Sequence, residues 1–162
     1  MLLHQKFSKK PVALTHANPF SLVRHKRNKP DDLLRAVADT GGIIGATTVP
    51  SFVKEGGDAD LSDYIRIIDY LVELVGIDCV GIGTDFFIDQ TEEWTRIILS
   101  GKSKKGPKDI QDYPHISFPK GIESPRDFPN ITSALIKQRY SESEARKILG
   151  ENFLRVFGEV WR

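Results

Sequence analysis

Three polar side chains follow or lie close to apolar runs of the sequence, and each has a chemical capability. His16 ends the run PVALTH, Asp85 follows the run CVGIGT, and Arg27 lies in a basic stretch eleven positions after His16. An imidazole can bind a metal ion, a carboxylate can hold a proton beside a metal-bound water, and a guanidinium can clamp a carboxylate. Each also has an ordinary structural alternative, namely a hydrogen-bonded strand end, a helix cap or ion pair, and a solvated basic turn. Spacing alone indicates a hydrolase-like site without establishing one.

The order of the apolar runs suggests how these residues come together. Runs typical of buried strands cover residues 11–16, 42–49 and 79–86. Between them, apolar residues predict a helix that Pro30 opens and Gly41 ends, and a second helix over residues 61–75. The alternation of strands and helices implies an α/β fold with parallel strands and right-handed crossovers. Ligands bind such folds at the carboxyl ends of the strands, which is where His16 and Asp85 stand.

The second half of the chain begins with a long connection and ends in helices. Residues 87–123 are rich in Lys, Gly and Pro, with one short helix predicted near Trp94. A connection of this length is either functional or disordered. Two helices follow, one over residues 129–140 and one that begins at Ser141, where Ser141 and Glu144 predict a capping box.

Composition argues against several classes of function. The 162 residues carry a net charge of +1 and are 40% hydrophobic, which predicts a folded protein with no nucleic-acid partner. The start, MLLHQKFSKK, lacks a signal-peptide core, and no stretch approaches the roughly 20 apolar residues of a membrane helix. We therefore expect a cytoplasmic protein if the chain is the whole product, and the compartment of a longer protein is left open. The single Cys79 excludes a disulfide within the chain.

Three motifs, in order, resemble those of the membrane (renal) dipeptidase family of zinc enzymes. The stretch PVALTHANPFSLVRHKRNKPDDLLRAV resembles the family's strand ending in Ser/Thr-His, with its Arg-Asn-x-Pro-Asp-Asp turn and helix. The run DYLVELVGIDCVGIGTDF resembles its last barrel strand, and GENFLRVF, at residues 150–157, resembles its C-terminal signature. The resemblance implies that residues 1–162 are the C-terminal part of a single metallo-dipeptidase domain. That domain is a (β/α)8 TIM barrel, of which about three parallel strands and two C-terminal helices are expected here.

The same resemblance implies a role for each of the three polar residues. His16 matches a histidine ligand of one zinc, and Arg27 matches the arginine that holds the substrate's C-terminal carboxylate. Asp85 matches an aspartate that binds substrate and handles the proton, so it is the expected catalytic residue. The family cleaves dipeptides with a hydroxide shared by two zinc ions, and a homodimer is expected for the complete protein. His25 and His115 match no ligand and are expected at the surface.

Two departures from the family pattern concern the rim of the pocket. After Asp-Phe the family often continues Asp-Gly, whereas this chain reads Phe87, Ile88, Asp89. The long Lys-rich connection resembles a branch of bacterial relatives. Substrate preference is therefore not expected to copy that of the renal enzyme.

The family's remaining zinc ligands and bridging Glu lie upstream of this chain in the family's order. A full barrel needs about 250 residues or more. We therefore expect at most one partial zinc site here, no activity of the chain alone, and an origin as a truncated frame, split gene or fragment. Two other functions stay open. One is a non-catalytic fragment that assembles with a complementary chain or with itself, and the other is a related barrel hydrolase acting on N-acyl amino acids or lactones.

Overall fold

A three-stranded parallel sheet lies at the centre of the computed structural model, which describes residues 10–86 and 118–161. The strands are β1 (Ala13–Leu14), β2 (Ile43–Ala46) and β3 (Val80–Ile82), in the order β1-β2-β3. Ala13 pairs with Ile43, and Ile44 pairs with Val80. The predicted strands and their parallel direction are confirmed, although the paired ladders are shorter than the apolar runs. The middle strand is buried along its whole length, as expected of a strand between two neighbours.

Six α-helices surround this sheet in the described part of the chain. They are α1 (Asp31–Ala38), α2 (Pro50–Val53), α3 (Leu61–Val75), α4 (Phe128–Lys137), α5 (Glu142–Arg146) and α6 (Asn152–Val160). Short 3-10 turns occupy Ile77–Cys79 and Pro125–Asp127. Four of the five predicted helices are confirmed, whereas α2 and the 3-10 turns were not predicted. No helix within the described ranges is both long and apolar enough to cross a bilayer.

Two of these helices begin with capping boxes, in which a side chain and a backbone N–H bond each other reciprocally. At α3, Asp60 accepts from the N–H of Asp63, whose carboxylate accepts from the N–H of Asp60. At α5, Ser141 and Glu144 repeat the arrangement, which confirms the predicted capping box. The hydrogen bond from the Ser62 hydroxyl lowers the pKa of the Asp60 carboxyl. Both boxes satisfy backbone donors that the first turn of a helix leaves unpaired.

Helix α3 is held to the sheet by an apolar stripe and one polar contact. Tyr64, Ile68 and Leu71 are fully buried, and each such side chain contributes roughly 1.5–3 kcal/mol by leaving water. The Tyr64 hydroxyl donates to the carbonyl oxygen of Ala46 at 2.9 Å, which satisfies a polar group at the end of β2. Burial raises the pKa of this phenol, so it stays a neutral donor.

The C-terminal helices are joined through a kink. The segment Lys147–Glu151 has π-helical hydrogen bonding, and Gly150 departs from helical dihedral angles within it. The Asn152 side chain follows the kink and donates 2.8 Å hydrogen bonds to the carbonyls of Ile77 and Val80. The kink therefore brings the start of α6 against the entrance of β3. The predicted final helix is confirmed, but as α5 and α6 with a bend between them.

The two described ends that flank residues 87–117 lie against each other. Phe86 and Phe118 meet edge to face with ring centroids 4.7 Å apart. Further along, the N–H of Leu61 donates to the carbonyl of Lys120 at 2.9 Å, which docks this stretch on the start of α3. Residues 87–117 of the predicted connection over 87–123 lie outside the described ranges, and with them the helix near Trp94, Asp89 and His115, whereas residues 118–123 are described.

Candidate active site

The carboxyl ends of the three parallel strands meet at one edge of the sheet. His16 lies two residues beyond β1, and Asp85 lies three residues beyond β3. The N–H of Ala17 donates to the carbonyl of Gly45 at 2.8 Å, so the contact between β1 and β2 continues beyond their paired residues. The topology therefore places both predicted residues on the same rim, as expected from the parallel order.

The end of β2 is used to hold the end of β3. The hydroxyl of Thr48 donates to the carbonyl of Thr84 at 2.7 Å, and that of Thr47 does so at 3.4 Å. Both threonines are buried. These two hydroxyls therefore fix Thr84, the residue that precedes Asp85.

Two glycines let the backbone at the end of β1 come close to the ends of β2 and β3. A Cβ atom built on Gly45 would lie 2.3 Å from the Thr15 carbonyl oxygen, and one built on Gly83 would lie 2.0 Å from it. Real Cβ atoms do not come this close to backbone oxygen, so only glycine fits at either position. Because Thr15 directly precedes His16, the two glycines determine where the imidazole begins.

The His16 imidazole is exposed and has one hydrogen-bond partner in the described chain. Its Nδ1 lies 2.9 Å from the Thr15 hydroxyl oxygen. When Nδ1 carries the proton and donates to that oxygen, Nε2 presents its lone pair away from the strand, which is the arrangement that orients a metal ligand.

Two buried asparagines connect the His16 loop to the Arg27 loop. Asn18 donates to the carbonyl of Thr47 at 3.0 Å and accepts from its N–H at 2.9 Å. Asn18 also donates to the Phe52 carbonyl at 3.2 Å, and Asn28 donates to the same carbonyl at 3.0 Å. The carbonyl of Phe52 is thus a common acceptor for both loops. It therefore fixes the distance between Asn18, two residues after His16, and Asn28, the residue after Arg27.

The turn that carries Arg27 is ordered by His25. The ring of His25 packs on that of Phe52 with centroids 4.5 Å apart, and its Nδ1 accepts from the N–H of Arg27 at 3.2 Å. His25 is half-buried at the surface, and the sequence did not predict its contact with Phe52 of α2.

His16 and Arg27 line one cavity of about 260 Å³. The other residues that contribute to its wall are Ala13, Leu14, Thr15, Ala17, Asn28, Lys29 and Phe52. The polar groups of this described wall are hydroxyl, amide, imidazole and cationic, and none is a carboxylate. Asp85 is on the same rim but does not line this cavity.

Asp85 has an unusual backbone conformation. Its φ is +59°, in the left-handed region, and its side chain is exposed. Non-glycine residues adopt this region at a cost of about 1 kcal/mol, and Asp tolerates it better than most. The next residue, Phe86, packs against Phe128 with centroids 6.1 Å apart, which anchors the chain just beyond the carboxylate. A strained exposed carboxylate at a strand end is a feature of functional sites.

Comparison with known proteins identifies the family. The sequence profile of the membrane dipeptidase family (peptidase family M19) matches residues 1–97 and 111–162. The chain belongs to the membrane dipeptidase family. The three ordered motifs predicted this membership, and it is confirmed. Family members are metal-dependent peptidases.

Solved structures of similar proteins place the chain within a larger fold. An amidohydrolase from Pseudomonas aeruginosa is 38% identical with a TM-score of 0.84, and the match covers 95% of this chain and 47% of that one. A metallopeptidase from Rhodobacter sphaeroides, solved with a phosphinate mimic of the dipeptide L-Ala-D-Ala, is 23% identical with a TM-score of 0.74, covering 96% of this chain and 38% of that one. The probable dipeptidase PvdM from Pseudomonas aeruginosa is 23% identical with a TM-score of 0.73, covering 96% and 46%. The chain spans less than half the length of these structures, which confirms the predicted fold class of a partial α/β barrel.

The residues of this membrane dipeptidase chain fit one metal ligand. His16 has the donor chemistry and a partner for its second nitrogen. Within residues 10–86 and 118–161, no three His, Cys, Asp or Glu side chains are grouped closely enough to hold a metal ion. Among the described residues, His16 is therefore the one whose chemistry and setting we find to fit a metal ligand.

Asn18 and Asn28 were missed by reasoning from the sequence. Asparagine is common in loops, so neither position differs from an ordinary polar turn until its burial is known. The Oδ1 atom of Asn28 is buried and has no hydrogen-bond partner in the described chain. It is an unpaired acceptor belonging to a residue of the cavity wall, which a ligand N–H or a water would satisfy.

Proposed function

We propose that the chain is the C-terminal part of a zinc-dependent dipeptidase and supplies part of its active site. One observation supports this most directly, namely the single cavity lined by His16 and Arg27 in a member of the membrane dipeptidase family. An imidazole suits a metal ion, and a guanidinium suits the free carboxylate that every dipeptide carries. The two groups belong together in hydrolysis of a substrate that ends in a carboxylate.

His16 would hold one zinc ion through Nε2, with Nδ1–H donated to Thr15. Bound zinc supplies a water of lowered pKa and polarises the carbonyl of the scissile amide. The other ligands would come from the part of the protein that precedes this chain in the family's order. Two zinc ions for the complete site and a homodimer for the complete protein stay predictions of the family resemblance.

Arg27 would anchor the substrate through two parallel hydrogen bonds to its C-terminal carboxylate. The backbone N–H of Arg27 is held by His25, and the next residue, Asn28, is held to Phe52. This ordering reduces the conformational entropy lost when the substrate binds, although the guanidinium itself is exposed. With the substrate carboxylate held at Arg27, the distance from Arg27 to His16 limits the length of the substrate. This limit favours a dipeptide over longer peptides.

Asp85 would hold the proton that the nucleophilic water loses and deliver it to the leaving amine. A positioned carboxylate contributes about 10²–10⁴-fold to such a reaction. The bonds from Thr47 and Thr48 to Thr84 on one side, and the packing of Phe86 on the other, keep the backbone of Asp85 in place. The carboxylate therefore projects from a fixed point of the rim.

Kinetics of the complete zinc-loaded protein test these roles. Asp85→Asn keeps the shape and the left-handed backbone, so we expect kcat to fall by about 10²–10⁴-fold, with a smaller rise in KM because Asp85 is also expected to contact the substrate. Arg27→Lys keeps the charge but loses the bidentate geometry, so we expect kcat/KM to fall by roughly tenfold or more, mainly through KM. Arg24→Lys, an exposed neighbour outside the cavity, is the matched control and should behave as wild type. Full activity of Asp85→Asn would remove the carboxylate from the mechanism.

A second candidate is hydrolysis of N-acyl amino acids, and one observation favours it. The structure with 38% identity is named an amidohydrolase, a broader class than dipeptidase. An N-acyl amino acid presents Arg27 with the same carboxylate, whereas a lactone ring offers none, so the cavity favours the former. Comparing glycyl-L-alanine with N-acetyl-L-alanine separates the two functions. Preference for the dipeptide supports the proposal, and preference for the acetyl compound replaces it.

A further inference from the structure

A second cation, Lys29, lines the same cavity as Arg27. It occupies the variable position of the Arg-Asn-x-Pro-Asp-Asp turn and is half-buried. Its backbone is fixed at both ends, because its N–H donates to the Asn18 carbonyl at 2.8 Å and its carbonyl accepts from the N–H of Phe20 at 2.8 Å. The Lys29 side chain therefore starts from a fixed point beside the proposed carboxylate clamp.

The charges around this cavity are unbalanced. Arg27 and Lys29 both lack a carboxylate partner within the described ranges, where the ion pairs use Lys54, Arg146, Lys147 and Arg155. A half-buried lysine can pack its aliphatic stem on the wall while its ammonium stays available to an anion. One substrate carboxylate on Arg27 leaves the charge of Lys29 unmatched. The wall thus has the composition of a site for two negative charges.

We propose that the cavity selects substrates whose C-terminal residue is aspartate or glutamate. Arg27 binds the α-carboxylate, and Lys29 binds the side-chain carboxylate. The volume of about 260 Å³ is below the roughly 300–1,000 Å³ of drug-sized ligand sites and suits a single amino-acid residue. This inference rests on the proposed function, since it assigns the C-terminal residue of the substrate to this cavity.

Binding of two matched dipeptides to the complete protein, kept free of zinc so that neither is hydrolysed, tests the inference. Glycyl-L-glutamate and glycyl-L-glutamine have nearly the same shape and differ by one negative charge, so their Kd values in calorimetric titrations isolate that charge. We expect glycyl-L-glutamate to bind about tenfold or more tightly, as a charge-assisted hydrogen bond contributes about 1.5–3 kcal/mol. The ratio should shrink as salt is raised, because exposed parts of the contact are screened.

Substitutions at Lys29 identify the responsible group. Lys29→Met keeps the aliphatic stem and should bring the affinity ratio close to one, whereas Lys29→Arg keeps the charge and should retain the preference. Lys26→Met removes an exposed cation outside the cavity and should leave the ratio unchanged. Circular dichroism of each variant verifies the fold. A preference that survives Lys29→Met would overturn the role of Lys29.

Two failures are distinguishable. Equal affinities for the two dipeptides, or binding of neither, overturn the charge preference. Hydrolysis is measured separately on the complete zinc-loaded protein. Absence of hydrolysis there with preferential binding of glycyl-L-glutamate overturns the proposed dipeptidase function alone. Hydrolysis of both dipeptides at equal kcat/KM overturns the present inference alone.

Discussion

The position of His16 depends on backbone groups more than on its own side chain. The Thr15 carbonyl oxygen lies where a Cβ of Gly45 or Gly83 would stand. Backbone cannot yield as a flexible side chain would, so any larger residue at either glycine must displace the end of β1. The site therefore depends on two residues that have no side chain and no chemistry of their own.

Gly83→Ala is expected to destabilise the protein and to move His16. The added methyl group would lie 2.0 Å from the Thr15 carbonyl oxygen, so overpacking should lower the free energy of unfolding by about 1–3 kcal/mol. Urea denaturation measures this loss, and the ¹H–¹⁵N spectrum of histidine reports the displacement. Gly158→Ala is the matched control, because nothing lies within 4 Å of its added Cβ and it is in helix α6. That control should be stabilised by roughly 0.5–1 kcal/mol, and equal effects of the two changes would contradict the steric explanation.

Helices and strands here are joined by single polar side chains at their ends. Tyr64 bonds the end of β2, and Asn152 bonds the start of β3. Such buried donors add a hydrogen bond to carbonyls of the strand residues themselves, and the Ala46 carbonyl also accepts from the N–H of Gly83 at 2.9 Å. The kink at Gly150 makes the second contact possible, since it sets the direction in which α6 begins.

Asn152→Ala is expected to loosen α6 from the sheet. Removal of the amide leaves the carbonyls of Ile77 and Val80 without this donor, and one buried unsatisfied group costs about 1–3 kcal/mol. Thermal unfolding, together with hydrogen exchange in α6, measures the effect. Leu154→Ala, in the same helix but 72% exposed, should change stability by no more than about 0.5 kcal/mol. A larger loss for Leu154→Ala than for Asn152→Ala would contradict the assigned role.

The sequence predicted the elements whose signal is long and periodic. Helix α3 matches the predicted residues 61–75, and all three strands and their direction are confirmed. The four-residue helix Pro50–Val53 was not predicted, because it is too short to show the helical period of 3.6 residues. The ladders are shorter than the apolar runs, and apolar residues just beyond them, such as Val12, Val49 and Phe86, are only half-buried.

The candidate site was predicted in part. The sequence placed His16 and Asp85 at strand ends, and this placement is confirmed, whereas their functional roles stay predictions. It could not show the cavity wall, because Asn18, Asn28 and Phe52 meet only through tertiary contacts. The aromatic contact of His25 was hidden for the same reason. Long-range polar contacts carry no periodic signal in the chain.

At the scale of the molecule, the chain is part of a larger barrel. It covers 47% of the amidohydrolase structure from Pseudomonas aeruginosa. Strands β1 and β3 are the outer strands of the described sheet, and each therefore has one edge without a partner in that sheet. Open edges and exposed apolar side chains such as Leu154 and Trp161 favour association with further polypeptide. We expect this further polypeptide to be the complementary part of a membrane dipeptidase barrel.

The 162-residue chain with added zinc is expected to hydrolyse no dipeptide above background. His16 alone is a weak zinc site, because catalytic zinc sites normally use three protein ligands. Calorimetric titration should show weak zinc binding, and a dipeptidase assay should show no turnover. Clear turnover that Asp85→Asn abolishes would contradict the partial-site proposal. Size-exclusion chromatography tests the alternative of a non-catalytic fragment that assembles with itself or with another chain. Oligomers would support that alternative, and a stable monomer would count against it.

The shared carbonyl of Phe52 has a consequence for how the proposed substrate length could change. Because the asparagines of both loops bond to this one oxygen, neither loop can shift alone without losing a buried hydrogen bond. A longer substrate needs a greater distance between the residues that hold its two ends. The change that meets this need with both bonds intact is a displacement or extension of helix α2, which carries Phe52. Adaptation to longer peptides should therefore begin with insertions around residues 50–53, a segment that contributes no side chain to the proposed chemistry.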